Sequence, residues 1–61
     1  MSEERLVESR RKEVFLALVE AQDRGVGVVG SRKEVAKRFG LSDRQIRQIE
    51  HEGLHNDWPP L

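Results

Sequence analysis

The sequence lacks cysteine and tyrosine, and it contains only two phenylalanines, one tryptophan and two prolines. Without cysteine, neither a disulfide framework nor a thiolate zinc site is available, which fits a reducing compartment. The longest apolar run, residues 14–19, is too short to cross a bilayer. The charged N-terminus also lacks the apolar segment of a signal peptide. These absences predict a cytoplasmic protein with no membrane partner.

The net charge is zero, from 11 basic and 11 acidic residues, but the charges are unevenly distributed. Residues 31–48 carry six basic and two acidic side chains, whereas residues 49–61 carry three acidic and no basic ones. A chain of 61 residues forms one small domain and buries only about 60% of its unfolded surface. We therefore expect a single domain, residues 1–61, with one basic segment and marginal stability that a second copy or a partner would improve.

An N-terminal helix is expected within residues 1–24, because residues 3–24 contain no glycine or proline and are rich in helix-forming residues. Its apolar residues form one stripe at helical spacing. The stripe and its flanks comprise Leu6, Val7, Val14, Phe15, Ala17, Leu18 and Ala21. Leu16 and Val19 fall on the opposite side. They indicate either a second contact surface, for a dimer or another protein, or two ordinary exposed hydrophobic residues.

The segment GVGVVG, residues 25–30, matches the glycine pattern of dinucleotide-binding domains. That pattern requires a preceding strand and a parallel sheet, and a chain of this length has no room for them. We expect a connector whose valines pack against the core or form a short extended segment.

Residues 31–55 have the features of a helix-turn-helix. Ser31 with Glu34, and Ser42 with Gln45, match the capping box that begins a helix. Gly40 suits the end of the first of these helices, and the prolines in residues 56–61 end the second. The expected inner face comprises Val35, Ala36, Phe39, Leu41, Ile46 and Ile49. The sequence thus predicts an all-α fold of three helices, the first long and the last two joined by a tight turn, without a wing.

The stretch EVAKRFGLSDRQIRQIEHEGL, residues 34–54, resembles the fourth conserved region of bacterial sigma factors. IRQIE, residues 46–50, is especially characteristic of that family, and RRKEVFLAL, residues 10–18, resembles its preceding helix. The resemblance implies a domain that reads the promoter −35 element with its last helix and docks on RNA polymerase. Arg47 and Gln48 match positions that contact DNA, and Ser42 matches the N-cap beside the DNA backbone. Asp43 and Arg44 reverse the family's usual order of a basic and then an acidic residue.

The outward face of the last helix is expected to bind double-stranded DNA, because arginine and glutamine suit base edges in the major groove. The candidate base contacts are Arg44, Gln45, Arg47, Gln48 and His51. The candidate phosphate contacts lie on the preceding helix and at the two helix starts. They are Ser31, Arg32, Lys33, Lys37, Arg38 and Ser42. The alternative reading of these residues is an ordinary solvated, charged surface.

Residues 51–55 read HEGLH, which matches the zinc-protease motif H-E-x-x-H. Such a site needs a third ligand and a substrate cleft, and Asp57 alone among the following residues is a plausible ligand. We therefore expect no catalytic site, no cofactor and no enzyme activity, although occasional metal binding by His51 and His55 remains open.

Two further function classes compete with DNA binding. One is a protein-interaction module, a sigma mimic that docks on RNA polymerase or another factor without reading bases. The other is a fragment of a transposase or recombinase. We expect a homodimer or a recruiting partner, since one motif on a neutral chain binds DNA weakly. The candidate protein interface comprises Leu16, Val19 and Trp58, with the alternative that Trp58 folds back onto the core.

Overall fold

A computed structural model describes residues 7–59 of the chain. Three helices follow one another, α1 (Glu8–Asp23), α2 (Val28–Phe39) and α3 (Asp43–His55), and each packs against the other two. No strand occurs within residues 7–59, so the predicted all-α, three-helix architecture is confirmed. None of the helices in this range is long and apolar enough to span a membrane.

The core consists of apolar side chains from all three helices and from the segment after α3. Its buried members are Val14, Phe15, Ala17, Leu18, Val35, Ile46, Ile49 and Trp58. The stripe predicted for α1 is therefore confirmed from Val14 onward. Val7 is an exception, because it precedes the first turn in an extended conformation and is 67% exposed. Leu6 lies outside the described residues.

The second helix begins four residues earlier than predicted, because Gly27 and not Ser31 is its N-cap. Ser31 lies inside the helix and is fully buried. Its amide donates to the Gly27 carbonyl at 2.8 Å, and its hydroxyl donates to the Val28 carbonyl at 2.8 Å. The predicted capping box of Ser31 and Glu34 is thus wrong. Half of the expected connector is helical, and Val28 and Val29 are exposed and not packed on the core.

The turn between α2 and α3 agrees with the sequence prediction. Gly40 ends α2 in the left-handed conformation, at φ 69°, which a residue without Cβ adopts at little cost. Leu41 donates its amide to the Ala36 carbonyl at 2.9 Å and packs against the core. At Ser42 the capping box is complete. The short turn fixes α3 directly after α2, as a helix-turn-helix requires.

The contact between α1 and α3 is close where Gly53 meets the ring of Phe15. A Cβ added at Gly53 would lie 2.6 Å from the Phe15 Cγ and closer still to Cδ1. Trp58 packs edge-on against the same ring, with centroids 6.1 Å apart, and its amide donates to the Gly53 carbonyl. Trp58 therefore folds back onto the core. Its prediction as a partner-binding side chain is wrong, because it is 6% exposed.

A polar contact reinforces this junction. The guanidinium of Arg11 in α1 donates two hydrogen bonds, of 2.8 and 3.0 Å, to the carboxylate of Glu52 in α3. These bonds raise the pKa of Arg11 above its ordinary value, although partial burial acts in the opposite direction. The bidentate geometry fixes direction as well as distance, so it holds the two helices in one register.

We expect Gly53→Ala to destabilise the protein, because the new methyl group must displace the buried Phe15 ring. Overpacking of this kind costs about 1–3 kcal/mol, against a gain of about 1 kcal/mol in helix propensity. Urea denaturation followed by circular dichroism measures the difference. Gly27→Ala is the control for added volume, since nothing lies within 4 Å of its added Cβ; because Gly27 is the N-cap of α2, it should cost only about 0.5–1 kcal/mol through poorer capping. A Gly53→Ala protein more stable than wild type would contradict the close contact.

We expect Glu52→Gln to lower the free energy of unfolding by about 1–2 kcal/mol, because it weakens a charge-assisted pair that is partly shielded from water. The matched control is Glu13→Gln, which breaks the exposed pair with Arg10 and should cost less than about 0.5 kcal/mol. Equal losses in the two variants, measured by urea denaturation, would show that the contact of Arg11 with Glu52 has no special role.

Candidate nucleic-acid interface

The outward face of α3 brings together four of the five predicted base-contacting residues. Ile46, Ile49 and Gly53 turn inward, so residues about half a turn away point to solvent. The side chains that line one shallow surface depression on this face are Arg44, Arg47, Gln48 and His51. Helical periodicity alone predicted this grouping, and the inward packing of α3 fixes it.

Gln45, the fifth predicted base contact, has a different role. Its side-chain oxygen accepts a hydrogen bond from the Ser42 amide at 2.9 Å, while its own amide donates to the Ser42 hydroxyl at 3.1 Å. The carboxamide is therefore engaged in starting α3 and is half-buried. Gln45 positions the outward face, and its oxygen is already bonded within the chain.

Two of the predicted DNA-contacting arginines are paired with carboxylates. Arg32 in α2 contacts Glu50 in α3 at 2.8 and 2.9 Å, and both side chains are mostly buried. Arg32 therefore links the two helices of the motif. Arg47 pairs with Asp43 one turn earlier at 2.9 Å, and both are about 60% exposed. An exposed pair of this kind contributes only about 0.3–0.5 kcal/mol, so a phosphate or base can replace Asp43 at small cost.

The basic side chains in and just after α1 differ from those of α2 and α3 in whether they pair with a carboxylate. In and just after α1, each described basic residue pairs with a carboxylate; these are Arg10, Arg11, Lys12 and Arg24. In α2 and α3, four basic residues have no carboxylate within 4.0 Å among residues 7–59. They are Lys33, Lys37, Arg38 and Arg44. The uncompensated positive charge thus lies on the helix-turn-helix.

The predicted phosphate contacts are not equivalent in the structure. Lys33 and Lys37 are exposed one turn apart on α2, and Ser42 is exposed at the start of α3. Arg38 lies over the Phe39 ring, 5.4 Å from its centroid, and lines the groove between α1 and α2. The prediction of Ser31 as a phosphate contact is wrong, because its hydroxyl is fully buried and already donates a hydrogen bond to the Val28 carbonyl.

The groove between α1 and α2 is a second surface feature. Its lining combines the apolar side chains of Leu16, Ala17 and Phe39 with two arginines and two glutamates, which are Arg10, Arg38, Glu13 and Glu20. Leu16 is 41% exposed. Of the two residues predicted on the outer side of α1, only Leu16 is exposed, because Val19 is partly buried against the core.

The HEGLH segment is explained by packing. Glu52 binds Arg11, and Gly53 accommodates Phe15. His51 and His55 point outward, with ring centroids 6.4 Å apart. Within residues 7–59, no three histidine or carboxylate side chains are grouped to hold a metal ion. The glutamate that would serve as the base of a zinc protease is instead part of the helix packing.

Comparison with protein families, curated proteins and solved structures finds no match to this chain. The resemblance of residues 34–54 to the sigma-factor region therefore stays a prediction.

Ser42→Ala tests the capping box that orients α3. We expect a loss of about 1 kcal/mol in the free energy of unfolding, because the Gln45 amide loses its acceptor. Ser9→Ala in the exposed first turn of α1 is the control, and it should change stability much less. If both variants unfold at the same urea concentration as wild type, the box does not stabilise α3.

Proposed function

We propose that this chain is a small DNA-binding transcription regulator that inserts α3 into the major groove. The observation that carries the proposal is the concentration of uncompensated positive charge on α2 and α3, where four basic residues lack a carboxylate partner among the described residues. A phosphate backbone supplies the missing negative charge. An ordinary solvated surface gives no reason for every described basic residue in and just after α1 to be paired while most of those on α2 and α3 are not.

Arg44, Arg47 and Gln48 are the proposed base-reading side chains. They line one depression together with His51. An arginine guanidinium donates two parallel hydrogen bonds to guanine, and a glutamine carboxamide both donates to and accepts from adenine. Asp43 holds Arg47 in the absence of DNA, and the weak exposed pair can open when a guanine or phosphate approaches.

Lys33, Lys37 and Ser42 are the proposed backbone contacts. In a helix-turn-helix, the first helix of the motif crosses the phosphates while the second enters the groove. Contacts of this kind fix register and orientation without reading sequence. From the resemblance to the sigma-factor region we further propose that the DNA is promoter DNA in the cytoplasm and that RNA polymerase is a second partner.

A single motif on a chain of zero net charge offers few phosphate contacts, so we propose that it binds DNA as a homodimer. A two-fold arrangement doubles the contacts and matches two half-sites one helical turn apart. Leu16 and the α1–α2 groove are the surface that this pairing would use.

The test measures the affinity for random duplex DNA by fluorescence anisotropy at a series of salt concentrations. We expect Lys37→Ala to reduce the slope of log K against log salt by about 1, because one phosphate contact is lost. Arg44→Ala should weaken binding at every salt concentration. Both variants should retain wild-type helicity, because these side chains are exposed.

Lys12→Ala is the matched control. It removes the same charge from the chain, but from an exposed side chain that pairs with Glu8 within α1, away from α2 and α3. Equal weakening in Lys12→Ala and Arg44→Ala would reduce the effect to overall charge and contradict a located interface. Absence of binding at low salt by a folded protein would also contradict the proposal.

A protein-interaction module is the second candidate, and the α1–α2 groove favours it. An exposed leucine beside a partly buried phenylalanine suits an apolar side chain of another protein, and the two arginines and two glutamates around them suit a partner segment of mixed charge. Capture of purified RNA polymerase by wild type but not by Leu16→Asp, with DNA binding absent in both, would favour this function over DNA binding.

A further inference from the structure

His51 and His55 stand one turn apart on the exposed side of α3 and form a pair of imidazoles that packing does not use. Their ring planes are within 14° of parallel, and their centroids are 6.4 Å apart. Both residues are exposed. Within residues 7–59, neither has a hydrogen-bond or ion-pair partner, in contrast to the intervening Glu52, which binds Arg11.

We propose that these two histidines form a binding site for a divalent transition-metal ion such as Zn²⁺, Ni²⁺ or Cu²⁺. Imidazole nitrogen is a common ligand for these ions, with Zn–N bonds of about 2.0–2.1 Å. Side chains four residues apart on a helix have Cβ atoms about 5–6 Å apart. Rotation about the side-chain bonds therefore brings both rings to one ion without a change in the backbone. Water occupies the other coordination positions.

The surroundings favour a cation of this class. The pair lies in the last two turns of α3, where unsatisfied carbonyls give the helix end a partial negative charge. Glu50 and Glu52, which flank His51 in sequence, are engaged by Arg32 and Arg11, and Asp57 lies beyond the end of α3. The two imidazole nitrogens are therefore the ligands that this part of the helix offers. Magnesium and calcium ions prefer oxygen ligands, and the site should reject them.

The metal also has a mechanical effect on the helix. One ion held by residues 51 and 55 links two successive turns next to the point where the chain leaves α3 toward Trp58. Because an ion that binds only the folded state stabilises it, the melting temperature should rise with ion concentration. This inference concerns the folded chain alone and does not depend on the proposed function.

The experiment titrates the full chain with NiCl₂, ZnCl₂ and MgCl₂, using calorimetry and thermal melting followed by circular dichroism. We expect saturable binding of Ni²⁺ and Zn²⁺ with a concentration-dependent rise in melting temperature, and no such effect of Mg²⁺. His51→Gln and His55→Gln should each weaken binding roughly tenfold or more, since even loss of an outer-shell partner costs 10–100-fold. Gln48→Ala, on the same face, is the control and should bind as wild type does.

The two single variants decide between a chelate and adventitious binding. If either variant binds Ni²⁺ as tightly as wild type, the histidines act separately and the proposal is overturned. Binding that is unsaturable, or that Mg²⁺ matches, also overturns it. Both substitutions are on exposed positions, so a helical spectrum equal to that of wild type confirms that the comparison is between folded proteins.

Discussion

The contact between the Phe15 ring and the Gly53 backbone determines how α3 lies on α1. Because Gly53 has no Cβ, the two helices approach closely enough for one aromatic ring to touch both α3 and Trp58. Arg11 and Glu52 then fix the rotation of α3 through a bidentate pair. With Ile46 and Ile49 turned inward, the direction of the opposite face follows from geometry. The surface proposed to meet DNA is therefore set by a contact on the other side of the helix.

The same contact explains why a protease-like string occurs in a chain with no site for it. Glu52 and Gly53 satisfy two separate requirements of helix packing, a partner for Arg11 and room for Phe15. The flanking histidines, His51 and His55, lie on the protein surface, because residues four apart on a helix share one face and this face of α3 is exposed. A motif of four or five letters records residue types, whereas catalysis depends on the directions in which they point.

Much of the fold could be predicted because local chemistry decides it. Gly40 and the Ser42 capping box occur where the sequence indicates, and the apolar spacing of α1 identifies its buried side from Val14 onward. Ser31 carries the same local signal as Ser42 but is buried by tertiary packing, which overrides it. The pairing of Arg32 with Glu50 joins residues whose distance depends on the crossing of α2 and α3. Sequence periodicity could group the outward side chains of α3, but it could not show which cations would be neutralised.

The position of Trp58 has a consequence for spectroscopy. It is the only tryptophan, and the sequence contains no tyrosine, so ultraviolet excitation at long wavelength reports on one side chain alone. That indole lies against Phe15, with the Lys12 ammonium 5.8 Å from its ring centroid. Its emission therefore follows the docking of the segment after α3 onto α1, while circular dichroism follows helix content. The two signals separate local release of this segment from global unfolding in a single unlabelled sample.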